Sequence, residues 1–279
     1  MADTYHSIAI KRVCRTVADA LGAPAPQEAA AGVEFVENVL KRELGGTAQR
    51  AVLYHADAIG VYLIQKYTEQ FAPVFENTCV SVPMISTVAS VTPVSHASMY
   101  TGLDPEKHGI RVYEKPKLTC ATLYDTLLAA GRHPAIIAMP DSSFLHIFAG
   151  RDMPYYEVKN NVEALEMAEK LMQEGECDVI SIHTFEYDDY AHEDGPESVP
   201  ALDAAFREAQ GFGKIADMVR RHWSAYDTLL GYMPDHGQHL VEPWEPNPDH
   251  YKGDHGSFRT EDMNVLQFYG AIPAKKTSN

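Results

Sequence analysis

Cationic side chains are scarce in this chain. Lys and Arg number 23 against 39 Asp and Glu, a formal charge of −16. Such a surface repels phosphate backbones and anionic bilayers, so a nucleic-acid polymer or a membrane surface is disfavoured as a partner. Most of these carboxylates are expected on solvated faces, with a local excess free to serve a metal site. Cysteine is sparse too. Cys14, Cys79, Cys120 and Cys177 show no paired spacing and sit in apolar or strand-like surroundings, which favours free thiols over a disulfide framework. No run of about twenty apolar residues exists to span a bilayer, and the opening MADTYHSIAIKRVCRT lacks the apolar stretch of a signal peptide. A cytoplasmic setting is the expectation. Internal repeats and low-complexity linkers are also missing. What remains is an ordinary globular mixture, 45% hydrophobic and 22% charged over 279 residues, enough for one large α/β domain or two small ones.

The first fifty residues read as two helices, roughly 6–21, closed by Gly22, and 26–44, closed by Gly45-Gly46. Neither carries a chemical motif. Packing on the core, capping a site, or a contact between copies in a homo-oligomer are all open uses. Apolar runs then alternate with helical patterns. AVLYHA (51–56), TCVSVP (78–83), PAIIAM (134–139), DVISIHT (178–184), YDTLLGYM (226–233) and VLQFYG (265–270) read as strands. Helices are expected over 59–71, 94–100, 121–130, 143–149, 161–174 and 202–223, the last with a break at Gly211 or Gly213. This alternation predicts a mostly parallel central sheet with helices on both faces. The expected division is an N-terminal helical extension, 1–48, packed on a catalytic domain, 49–279. In such sheets ligands gather beyond the carboxyl ends of the strands.

The polar residues that follow the strands are informative for that reason. AVLYHA ends at Asp57. DVISIHT runs into FEYDDYAHEDGP, which places Asp188 and His192 at i, i+4 on one helical face. YDTLLGYM leads to Pro234 and then Asp235-His236-Gly237. His255-Gly256 precedes the last strand. The stretch VTPVSHASMYTGLDPEKHGI (91–110) has Thr-Pro opening a short helix and Gly102 closing it, so Thr92 is expected at a helix N-terminus. There the hydroxyl could simply cap the helix, or attack a phosphorus centre while free N–H groups meet its oxygens. Each piece alone is weak. An Asp after a strand is often a cap, and Asp-His-Gly makes a good turn.

Taken together, HADAIG, TPVSHASMYTGLDPEKHGI, EYDDYAHEDGP, PDHG and GDHGSFRTEDM resemble the alkaline phosphatase superfamily, and most of all its nucleotide pyrophosphatase/phosphodiesterase branch. The resemblance runs from about residue 50 to the end. It implies an alkaline phosphatase-like fold and two divalent metal ions. One ion would be held by Asp188, His192 and His255, the other by Asp57, Asp235 and His236 with Thr92 at its open position. Imidazole and carboxylate donors suit zinc best, with manganese or iron as alternatives. It further implies a Thr92 nucleophile, activated by a metal, that forms a phosphoryl-enzyme intermediate. Asp189 would stay outside the ligand set. Among other histidines, His96 is expected to be structural, His108 to fix a turn, and His55 to face the same side as Asp57; His239 and His250 remain unassigned.

The chain departs from the branch at one informative place. An Asn usual after the HGI turn is replaced by Tyr113, with Arg111, Lys115 and Lys117 nearby. Tyr113, Arg111 and Lys115 are therefore candidate substrate contacts, the cations suiting the extra charge of a monoester. The 238–254 loop, with Trp244 and Tyr251, is the candidate contact for the leaving group. The expected activity is hydrolysis of a small phosphorylated substrate, a diester or pyrophosphate first. The alternatives are a phosphomonoesterase, a C–P phosphonate hydrolase, or a non-catalytic metal-binding relative. Sulfatase chemistry is disfavoured by a Thr where a modified Cys or Ser would be needed.

Overall fold

The computed structural model describes residues 8–245 and 248–275. Its strands are β1 (Ile8–Ala9), β2 (Arg50–Ala56), β3 (Val80–Ile85), β4 (Pro134–Ala138), β5 (Tyr155–Glu157), β6 (Val179–Thr184), β7 (Thr228–Tyr232), β8 (His239–Leu240), β9 (Gly253–Asp254) and β10 (Asn264–Ile272). Eight of them form one sheet in the order β1-β3-β10-β7-β2-β6-β4-β5, and β8 and β9 make a separate small hairpin. β2, β4, β6 and β7 are buried at every position. That explains their unbroken apolar character, since strands covered on both faces have no solvent side to show.

Side chains still alternate between two cores. Ala51 and Leu53 of β2 join one apolar cluster, Val52, Tyr54 and Ala56 the other, as a period of two requires. The first cluster is roofed by the helices Val13–Ala20, Glu34–Leu44, Thr92–Thr101, Leu123–Ala129 and Ser143–Phe148. The second lies under Val61–Lys66, Asn161–Glu174, Glu186–Asp194 and Val199–His222. Phe212, Tyr232 and Phe268 pack edge to face there, each ring contributing roughly 1.5–3 kcal/mol by burial.

The strand directions decide where the site can be. β2 runs parallel to β6 and β7, β4 to β5 and β6, and β1 to β3. β10 alone is reversed, antiparallel to both β3 and β7. The carboxyl ends of β2, β3, β6 and β7 therefore share one edge, and the start of β10 joins them because Asn264 pairs with Ile85. Asp57, Thr92, Asp188, Asp235 and His255 all lie in connections at that edge.

Several sequence expectations need correction. The first helix is shorter than 6–21: residues 8–9 add a parallel edge strand to β3, a 3-10 turn spans Ile10–Arg12, and the helix proper is Val13–Ala20; residues 6 and 7 lie outside the described residues. The second begins at Glu34, not at residue 26. Arg12 donates to the carbonyls of Ala31 and Gly32, and Val33 N–H donates to Thr16 Oγ1 at 2.8 Å, so tertiary partners hold this stretch out of the helix. The expected 59–71 helix is Val61–Lys66 followed by a second short one, Ala72–Glu76. The Val199–His222 helix starts earlier than expected and passes through Gly211 and Gly213 unbroken. Gly211 lies against the Tyr54 hydroxyl, where a Cβ would come within 2.8 Å, so it serves packing.

Candidate active site

Thr92 is the first residue of its helix; the cap position belongs to Val91, which is extended at φ −128, ψ 147. The Thr92 hydroxyl does not cap the helix. It points instead at the β2 edge, 3.5 Å from Asp57 Oδ2, to which it donates, and 3.3 Å from His236 Nε2. All ten residues of this helix are buried, so the hydroxyl is held on a rigid element.

Around Thr92 the expected donors fall into two groups. Asp188, His192 and His255 offer atoms within 4.8 Å of one another, and so do Asp57, Asp235 and His236; each trio could hold a metal ion. The His236 and His255 rings stack at 4.1 Å and place the trios side by side. Asp57 follows β2 directly, and its N–H donates to Thr184 O of β6 at 3.1 Å. Ala58 then takes a left-handed φ of 63, a conformation usually left to Gly, and its N–H reaches Asp235 Oδ1 at 3.4 Å. Asp188 and His192 lie on Glu186–Asp194, 3.5 Å apart at Oδ1 and Nε2.

The imidazoles are oriented alike. Nδ1 of His192, His236 and His255 faces the carbonyl of Gly253, Gly237 and Ser90 at 2.9, 3.1 and 3.0 Å. A carbonyl only accepts, so Nδ1 carries a proton, and in the neutral ring this leaves the Nε2 lone pair free. This is the arrangement in which a backbone group fixes the tautomer of a metal-binding histidine.

The carboxylates give the second test. Asp57 Oδ1, Asp188 Oδ1 and Asp235 Oδ2 are buried and accept no hydrogen bond among the described residues. The ion pairs these three residues make there are all with imidazoles. Burial, and then the Asp235 and Asp188 charges, hold the Asp57 carboxyl well above the usual range. Burial likewise pushes Asp235 up to about 7. The same burial lowers His236, and takes His255 down to about 4 with His236 adding to it. Buried carboxylates without cationic partners are unstable as anions. Neutral imidazoles beside them complete a donor set that divalent cations would satisfy, so the residues fit two metal ions.

The whole of the first trio, Asp188, His192 and His255, lines a cavity of about 610 Å³ together with Thr92 and, from the second trio, Asp57. Tyr113, Lys115 and Tyr251 also line it, with Lys115 Nζ tethered to Asp141 O at 2.8 Å. Arg111 is exposed and stands outside the lining, as does Trp244, 76% exposed. Residues 246 and 247 of the 238–254 loop are outside the described residues. Asp189 lines the cavity but belongs to neither trio; burial and Asp188 raise it to about 6. His96 Nδ1 lies 3.1 Å from Thr92 O and 3.4 Å from Asp235 Oδ2, which ties the Thr92 helix to a carboxylate. His55 pairs with the Tyr100 hydroxyl at 2.7 Å. His108 accepts from Ile110 N–H inside its turn, and His239 is bound to Asp262 at 2.7 Å.

One residue escaped the sequence reading. His183, taken only as part of a strand, lines the cavity with Nε2 3.1 Å from Asp57 Oδ2. The signal available was its place near the end of an apolar strand, where a buried polar side chain needs a partner.

The mixed, mostly parallel sheet with helices on both faces and a site at the strand ends defines an alkaline phosphatase-like α/β protein. The family model described as type I phosphodiesterase/nucleotide pyrophosphatase matches residues 54–114, and the resemblance to the nucleotide pyrophosphatase/phosphodiesterase-like branch of the alkaline phosphatase superfamily is borne out. The fold is similar to that of murine ectonucleotide pyrophosphatase/phosphodiesterase 5, with a TM-score of 0.56 and 18% identity over 70% of this chain and 59% of that one. This chain thus spans about three-fifths of that protein's length. Phosphonoacetate hydrolase from Sinorhizobium meliloti 1021, solved with phosphonoformate, matches with a TM-score of 0.52 and 13% identity over 68% of this chain and 57% of that one. The C-terminal periplasmic domain of EcEptC from Escherichia coli, solved as a complex with Zn, matches at 0.55 and 13% over 81% and 74%. No curated protein sequence matches the chain. Among the described residues no helix is long and apolar enough to cross a membrane.

Proposed function

We propose that this protein is a two-metal phosphoric-ester hydrolase of the phosphodiesterase/nucleotide pyrophosphatase type with Thr92 as its nucleophile. The observation that carries the reading is a buried hydroxyl 3.5 Å from Asp57 and 3.3 Å from His236, at the junction of two trios of metal-type donors. Asp188, His192 and His255 would hold one ion; Asp57, Asp235 and His236 would hold the other beside Thr92. Divalent ions at these positions supply Lewis acidity, which lowers the proton affinity of the hydroxyl and offsets charge on the leaving oxygen. The chain's own residues do the rest. The rigid helix presents Thr92 Oγ1 to phosphorus, the P–O bond to the leaving alcohol breaks as the Thr92 bond forms, and water later displaces Thr92 to release the product. Tyr113 and Lys115 on the cavity wall would meet the nonbridging oxygens.

Zinc is the proposed metal, supported by the His and Asp donors and by the zinc bound to one structural neighbour. A reducing, cytoplasmic setting is likewise a proposal, supported by four free cysteines. A phosphonate substrate is the second reading, favoured by the fold shared with phosphonoacetate hydrolase. The test is turnover of bis(4-nitrophenyl) phosphate, 4-nitrophenyl phosphate and phosphonoacetate, each with and without chelator. The expected result is chelator-sensitive diesterase activity that falls at least about 10³-fold in Thr92→Ala, the scale set by losing a covalent nucleophile. Full turnover by that variant overturns the assignment.

A further inference from the structure

His183 occupies the last position but one of β6, in register with His55 of β2, and is 3% exposed. Its ring stacks on Phe144 with centroids 5.4 Å apart and 7° between planes, and the edge of His96 closes on it at 5.2 Å. Packing therefore fixes the ring, and its Nε2 is set 3.1 Å from Asp57 Oδ2. With a cation in the trio Asp57 is ionised and only accepts, so in that state a proton sits on His183 Nε2. This is the opposite tautomer to that of His192, His236 and His255, whose Nε2 lone pairs are free. The proton excludes His183 as a ligand at the atom nearest the trio.

The two oxygens of Asp57 are treated unequally as a result. Oδ2 takes the His183 N–H and the Thr92 hydroxyl, whereas Oδ1 accepts no hydrogen bond among the described residues and lies 3.4 Å from His236 Nε2. We propose that His183 is a positioning residue that reserves Oδ2 of Asp57, so that Asp57 offers a single oxygen to the cation it shares with Asp235 and His236. A carboxylate held to one oxygen leaves a ligand position for Thr92; a bidentate one would compete for it. This inference rests on the two-metal reading above.

The test compares His183→Leu, which removes the N–H and keeps apolar volume, with His183→Gln, which can restore a donor near Nε2. Zinc stoichiometry and affinity are measured by competition with a chromogenic chelator, alongside melting of the metal-free proteins and kcat and KM for bis(4-nitrophenyl) phosphate. In His183→Leu one of two ions is expected to weaken about 10–100-fold, the usual effect of losing an outer partner, while the other stays within about twofold. The metal-free melting point should hold, kcat should fall more than KM rises, and His183→Gln should recover part of the affinity. Equal weakening of both ions with a lower metal-free melting point would mean that the ring only packs, and overturns the proposal. So would wild-type affinity at both ions in His183→Leu. Wild-type protein that takes up no zinc overturns the two-metal reading itself and this inference with it.

Discussion

Gly237, the last residue of PDHG, shows how the site depends on a single missing carbon. A Cβ there would press on the Glu261 carbonyl and come within 2.8 Å of Gly60 Cα. Its N–H donates to Asp262 O at 2.8 Å, so the loop cannot swing away without losing that bond. Asp235 and His236 immediately precede it. Gly237→Ala should destabilise the fold by about 1–3 kcal/mol, the scale of overpacking a rigid interior, read as a lower urea midpoint, and should lose metal uptake with it. An unchanged midpoint would contradict the close approach. The carbonyl-bound histidines carry the same lesson: residue type was visible in the sequence, but for His192 on Gly253 O and His255 on Ser90 O the tautomer was decided by backbone oxygens from distant segments, and only His236 uses its own neighbour, Gly237 O.

Among the elements, the Leu123–Ala129 helix is the clearest case of local chemistry. Thr122 and Asp125 form a reciprocal capping box, and Arg151 Nε joins both at 3.0 Å. Thr122→Ala should lower stability by about 1 kcal/mol while leaving phosphoester turnover at the wild-type level, because this helix end is not part of the lining of the cavity beside Thr92. Loss of turnover at full folding would show that the helix reports to the site. The six long strands and most helices were legible because apolar period and Gly or Pro punctuation are local signals; the two- and three-residue strands β1, β5, β8 and β9 were not, being too short to show a period. The 26–33 stretch was not: its Ala-rich pattern favours helix, but Arg12 and Thr16 capture its backbone groups, and no local propensity encodes that.

Across the whole molecule, protons and metal ions should compete for the same buried carboxylates. In the metal-free protein burial raises Asp57 and takes Asp235 to about 7, and burial raises Glu208 to about 8. The unfolded chain releases these protons near pH 4, so between there and the folded values the native state binds more protons and stability falls as pH rises. The buried histidines oppose this at lower pH. Burial lowers His55 to about 3 and His183 and His255 to about 4, so their contribution is present above about pH 6.5 and is lost as pH falls toward 4. Above about 6.5 the carboxyl effect continues, and His239, which burial lowers but Asp262 raises further, adds to it in the same direction. The metal-free protein should therefore melt at lower temperature as pH goes from about 6.5 to about 8, and zinc should flatten that slope. A melting point that climbs over this range in chelator would refute it.

The sequence by itself determined the α/β alternation, the identity of the seven polar residues and their places beside apolar strands, after one for most and before the last for His255, because each depends on short-range pattern. Only the tertiary structure decided that they meet. Asp57, Asp188 and Asp235 are brought together by the parallel β7-β2-β6 order, and His255 by the reversed β10. The tertiary structure also decided which oxygen of Asp57 is spoken for, since His183 and Asp57 are 126 positions apart and only strand pairing sets their contact.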